Sequence, residues 1–232
     1  MIVSVHQPQY IPWLGYFDKI AKSDVFVFLN CVQYKEREFQ NRNKIRTDRG
    51  WMWLTVPVLS EGKGRQMISD VRIDRSIDWR SRHWKSLVSW YHAAEFGAEY
   101  LPFFEDAYSR EWEKLVDINV HIISFFLKIL GISTKIVFES ALCVTTTRTA
   151  RIVDICRALK AETYLSGAGG KEYLDEGAFS AAGIGLMYQE YRHPVYAQRF
   201  AACANEFIPY LSAIDLVMNE GPRSREILGI RA

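Results

Sequence analysis

The sequence predicts an α/β protein with a mainly parallel, Rossmann-like sheet flanked by helices. Two observations carry this. Short β-branched or apolar runs alternate along the chain with segments of helical periodicity. The first thirty or so residues also hold run, helix and run with little chain left over, a β-α-β unit whose right-handed crossover makes its strands parallel neighbours.

Residues 2–6 read as the first strand, and residues 15–22 as a helix with Phe17, Ile20 and Ala21 on one side. Residues 24–29 (Asp-Val-Phe-Val-Phe-Leu) form a continuous apolar run, as expected of a strand covered on both faces. Residues 31–50 are polar and basic and read as a loop. A strand is expected over 51–58, with Pro57 at an edge, then a mobile Gly/Lys-rich loop over 60–66 and a short strand over 71–73. Asp78 is placed to cap a helix running to about His92, and Ser109 to cap a second that ends at Gly131. Strands are expected at 134–139, 163–166 and 185–191, and helices at 149–161 and 211–218. The whole chain, 1–232, reads as a single domain, with 78–130 as a helical insertion or lobe within it.

Composition narrows the class. With 232 residues and 49% hydrophobic content, the chain supports a large core. Its 29 basic and 27 acidic residues nearly cancel, so a nucleic-acid partner is not expected. The four scattered cysteines (Cys31, Cys143, Cys156, Cys203) form no metal-binding spacing and read as free buried thiols. The start lacks a signal-peptide pattern, and the most apolar stretch, 118–130, is too short to span a bilayer. A cytoplasmic protein is expected, with a homodimer as its candidate assembly.

Three segments can carry chemistry. In the first, a buried strand delivers His6 into a turn stiffened by Pro8 and Pro12, with Gln7, Tyr10, Gly15, Tyr16 and Lys19 following. The second, 30–49, holds Asn30, Gln33, Arg42, Asn43 and Arg46 in a stretch whose Lys and Arg outnumber its acids, groups suited to phosphate or carboxylate. In the third, Ser166-Gly167-Ala168-Gly169-Gly170-Lys171, glycines after a strand let backbone N–H groups approach an anion. It lacks the spacing and Lys-Ser/Thr ending of a Walker A loop. No hydrolase elbow or zinc motif is present, and no metal site is expected.

The run His6-Gln-Pro-x-Tyr-x-Pro-Trp-x-Gly-Tyr-Phe-x-Lys19 resembles the WbqC-like proteins. So do Arg42-Asn43 ahead of Trp53-Leu-Thr-Val-Pro57, Tyr164-Leu-Ser-Gly167, Tyr173-Leu174 and the closing Tyr196-x-Gln198…Phe207-x-Pro209-x-Leu211-Ser-x-x-Asp215. The resemblance implies a place among bacterial surface-polysaccharide and related secondary-metabolite genes, with transfer of glycine or another acyl group to an amino sugar. More distantly, the β-α-β start and the 166–174 segment resemble the nucleotidylyltransferase and pantothenate-synthetase superfamily. Its His-x-Gly-His signature would fall on Trp13-Leu-Gly-Tyr16, so aromatics stand where phosphate-binding histidines would be.

The expectation is therefore an acyl- or aminoacyl- (glycyl-) transferase acting on an amino sugar or nucleotide-sugar, with ATP and Mg²⁺ as candidate activators. His6 would be base or phosphate contact, and Lys19, Arg42 and Arg46 would stabilise charge. Gln7, Tyr10, Gly15, Tyr16, Asn30, Gln33, Asn43, Ser166, Gly167, Gly169, Gly170, Lys171, Tyr173, Tyr196 and Gln198 would bind substrate or nucleotide. The competing expectations are a non-catalytic sugar-nucleotide-binding accessory protein and an RNA binder using residues 35–49, the latter marked by steep salt dependence.

Overall fold

The computed structural model describes residues 1–60, 62–201 and 206–230, so Cys203 lies outside the described residues. Five parallel strands form one sheet. In chain order they are β1 (Ile2–His6), β2 (Val25–Phe28), β5 (Lys135–Phe138), β6 (Thr163–Ser166) and β7 (Gly185–Tyr188). In space the order is β5-β2-β1-β6-β7, so the chain builds outward from β1 on one side and returns to build outward on the other.

Strand parity assigns the two faces. In β2, Val25 and Val27 join Val3 and Val5 of β1 under α5 (Arg148–Ala158) and α6 (Glu176–Ala181). Phe26 and Phe28 point the other way, into a larger cluster with α1 (Leu14–Ala21) and α4 (Leu115–Ile129). That cluster also takes in α2 (Trp79–Tyr91), α3 (Gly97–Ser109) and α7 (Ala213–Glu220). Helices on both faces explain why β2 reads as a continuous apolar run.

Several expectations change. Residues 31–50 are not all loop: β3 (Arg42–Thr47) pairs antiparallel with β4 (Gly50–Thr55) in a hairpin separate from the main sheet. Alternation along β3 is masked because Lys44 and Arg42 cover the rings of Trp51 and Trp53 on the hairpin's outer side. Ser109 ends α3 rather than starting a helix, its hydroxyl donating to the Asp106 carbonyl. α3 itself was hidden by Pro102, which sits within it. Residues 71–73 make only isolated bridges, Val58 with Ile73 and Arg72 with Lys114. Cys31, Cys143 and Cys156 are free thiols, but only Cys156 is buried and Cys143 is exposed.

Asp78 does cap α2, accepting from the Ser81 N–H, and Gly131 follows α4 at φ +63°. Among the described residues, no helix is long and apolar enough to cross a membrane.

Candidate functional site

The strand order reverses between β1 and β6, the place where open α/β sheets bind ligands. The two strands pair only through Ile2–Thr163 and Val3–Tyr164, and beyond that point no further residue pairs join them. A cavity of about 380 Å³ lies there, lined by His6, Trp13, Gly15, Tyr16, Lys19, Gly167, Ala168, Gly169, Gln189, Tyr191 and Tyr210.

Lys19 is the unusual group in it. It is 3% exposed, its Nζ donates to the Val5 carbonyl at 3.0 Å, and among the described residues no carboxylate pairs with it. An ammonium has three donors, so two remain for a ligand. Burial without a counter-charge favours the neutral amine and lowers its pKa to about 7.

His6 stands beside it. Its Nδ1 lies 3.1 Å from the Gln7 carbonyl, an acceptor only, so Nδ1 carries the proton and Nε2 keeps a lone pair with no hydrogen bond among the described residues. Burial first, and the Lys19 charge second, lower its pKa to about 3, against the opposing pull of the Gln7 carbonyl. The imidazole is therefore neutral at neutral pH. Tyr16 packs edge-on to it at 5.1 Å and donates to the same Gln7 carbonyl at 3.1 Å.

The opposite wall is the glycine segment. A 3-10 turn, Ala168–Glu172, follows β6, and among the described residues the N–H groups of Ala168 and Gly169 at its start make no backbone hydrogen bond. A Cβ on Gly170 would lie 2.0 Å from the Ser166 Oγ, so that glycine is required for close packing. A Cβ on Gly169 would meet nothing within 4 Å, which leaves its backbone open to the cavity.

The mouth is aromatic. Trp13 lies 5.2 Å from Tyr191 and 5.8 Å from Tyr210. Its indole crosses Gly15, where any Cβ would come within 2.2 Å of the ring. Gln189 donates to the Gly15 carbonyl at 2.8 Å and to Asp18 at 2.6 Å, tying the end of β7 to the start of α1.

The WbqC-like protein family model matches residues 7–227. This chain is a WbqC-like protein. It is 33% identical over 228 residues to the uncharacterized protein Rv1507c of Mycobacterium tuberculosis, covering 97% of this chain and 96% of that one. No solved structure matches. Family membership connects the chain with polysaccharide-related biosynthesis.

In this WbqC-like protein, His6, Gly15, Tyr16, Lys19, Gly167 and Gly169 come together in the cavity, and the other expected residues do not line it. Gln7 supports it through its carbonyl and takes a hydrogen bond from Gln40. Tyr10 is fully buried, bonded to His83 and Tyr108. Asn43 is fully buried and donates to the Ile11 carbonyl. Asn30 bonds Ser140, and Gln33 bridges to Met67. Ser166 donates to the Gly167 carbonyl; Lys171 lies over the Tyr188 ring; Tyr173 is exposed.

Arg42 stacks on Trp53 at 4.4 Å. Arg46 is buried, with Nε, Nη1 and Nη2 donating to the carbonyls of Arg199, Gly50 and Phe200 at 3.1–3.2 Å. Tyr196 and Gln198 each donate at 2.7 Å to buried Asp215, which also accepts from Tyr91. Burial raises the Asp215 pKa, and these donors with Arg46 oppose the rise. Arg46, Tyr196 and Gln198 thus belong to a cluster that holds the closing segment to the core.

Sequence reasoning passed over Gln189, Tyr191, Tyr210 and Trp13 as site residues. The first two follow β7 at the same sheet edge as His6, and that position was a usable signal. Tyr210 had none.

Proposed function

We propose that this WbqC-like protein is a cytoplasmic transferase that moves an acyl or aminoacyl group onto the amine of an amino sugar in surface-polysaccharide biosynthesis. The observation that supports it best is an unpaired buried Lys19 sharing one cavity with neutral His6 and a glycine turn.

The amine of an acceptor sugar arrives protonated and must lose a proton before it attacks. Lys19, with a pKa of about 7, is matched to take that proton at neutral pH, which makes it a better base than His6 at about 3. His6 instead accepts a hydrogen bond at Nε2 and orients the amine. As the N–C bond forms, the carbonyl oxygen gains negative charge and Lys19, now an ammonium, faces it. The acyl-to-leaving-group bond then breaks, the leaving group departs with the electron pair, and the amide nitrogen gives up its second proton to it.

The test is turnover of amino-sugar acceptors with activated acyl and glycyl donors, with and without ATP, followed by product mass. Wild type is expected to form the amide, and Lys19→Met and His6→Gln to lose at least ~10²-fold in kcat. Binding of the acceptor with no amide from any donor would leave the accessory-protein reading in its place.

A further inference from the structure

Lys19 is placed to form a bond as well as to move a proton. Its Nζ donates to the Val5 carbonyl at 3.0 Å, and the Phe26 ring centroid is 5.9 Å away. Gly167 bounds the amine on the cavity side, where an added Cβ would stand 4.0 Å from Nζ. Gly167 sits at φ −64° and ψ 160°, a conformation open to any residue, so the backbone does not call for glycine there. What the missing side chain supplies is clear space beside the amine.

Hydrogen-bond counting points the same way. An ammonium carries three N–H groups, a neutral amine two, and a protonated imine one. Among the described residues Lys19 Nζ has one acceptor, the Val5 carbonyl, and no carboxylate lines the cavity. An ammonium is poorly served by such a place, which favours the neutral amine with its lone pair free. Buried lysines in this state are nucleophiles toward carbonyl carbon.

We propose that the cavity captures a small aldehyde or ketone as a covalent imine on Lys19 Nζ, with Gly167 keeping the approach open. This goes beyond the transferase reading, in which the same nitrogen moves a proton and forms no bond.

The nitrogen lone pair attacks the carbonyl carbon, and the C=O π pair moves to oxygen. One of the two N–H protons passes to that oxygen, and the His6 Nε2 lone pair, in the same cavity, can carry it. The nitrogen then forms the C=N bond as the C–O bond breaks. Hydroxide leaves and takes one proton from solvent to become water. The N–H that remains on the protonated imine is the one the Val5 carbonyl accepts.

The test is reductive trapping. The full chain is incubated at pH 7 with glycolaldehyde and sodium cyanoborohydride, digested, and the adduct on each lysine quantified by mass. An ordinary surface lysine is charged at pH 7 and reacts slowly. Lys19 is expected to carry at least ~tenfold more adduct than any other lysine, at a rate that saturates with glycolaldehyde. This comparison lies within wild type and needs no variant. Gly167→Val fills the space beside the amine and should lower trapping at Lys19 about tenfold, leaving the other lysines labelled as before.

Labelling of Lys19 within twofold of the other lysines would overturn the inference. So would a Lys19 rate that stays linear in glycolaldehyde, or a folded Gly167→Val that traps as much as wild type. Amide formation from an acyl donor with no preferred adduct at Lys19 would overturn it while sparing the transferase. A saturable Lys19 adduct with no amide from any donor would do the reverse.

Discussion

Asn43 Nδ2 donates to the carbonyl of Ile11 at 2.9 Å, and Ile11 is a buried β-branched residue held at φ +39°. That conformation is unfavourable for isoleucine, by ~1–3 kcal/mol. The turn persists because Asn43, the Phe39 carbonyl and the Ala213 N–H hold Ile11, Tyr10 and Pro12 respectively. Asn43→Ala removes the donor that fixes the strained residue, and is expected to lower unfolding free energy by about 2–4 kcal/mol in urea titration. It should also loosen Trp13, seen as a red-shifted and more quenchable tryptophan emission.

Lys19 makes stability depend on pH. Its folded-state pKa of about 7 lies below its ordinary 10.5, so between those values the unfolded chain binds more protons than the folded one. Stability contributed at this position therefore rises from pH 7 to pH 10.5, and the penalty of the buried charge is fully present below pH 7. Lys19→Met is expected to gain a few kcal/mol, of order 2–4, at pH 6 and to lose most of that advantage by pH 10. A variant equally stable, relative to wild type, at both pH values would contradict it.

Arg46 separates structure from chemistry. Its three carbonyl partners lie outside the cavity, so Arg46→Met is expected to cost about 2–4 kcal/mol of stability by stranding buried acceptors. Amide-forming turnover per folded molecule should stay within twofold of wild type. A large loss of turnover would return Arg46 to the site.

Gly15→Ala places a methyl inside the space of the Trp13 ring. The expected result is a stability loss of about 1–3 kcal/mol, read by urea titration.

Much of this was legible before the structure. The β-branched run before His6 and the Val-Phe-Val-Phe run of β2 identified neighbouring parallel strands, because two-sided burial leaves an unbroken apolar pattern. The His6–Lys19 segment and the 167–169 glycines were singled out as segments that follow strands, and the fold brings His6, Lys19 and these glycines to one cavity. In the basic segment the charge was legible and its partners were not. Arg46 found carbonyls from residues 199 and 200, and Arg42 found the Trp53 ring across a hairpin turn. Tyr210 was unreadable for a similar reason: only its backbone angle and its distance from Trp13 mark it.

The two walls of the cavity come from opposite ends of the chain, residues 6–19 and residues 167–210. In the unfolded chain Lys19 stands in water, where the amine is charged at no penalty. Folding brings the two walls together and strips that charge of solvent, so between pH 7 and pH 10.5 folding releases a proton at this nitrogen, and the base the cavity offers exists only once the sheet is assembled.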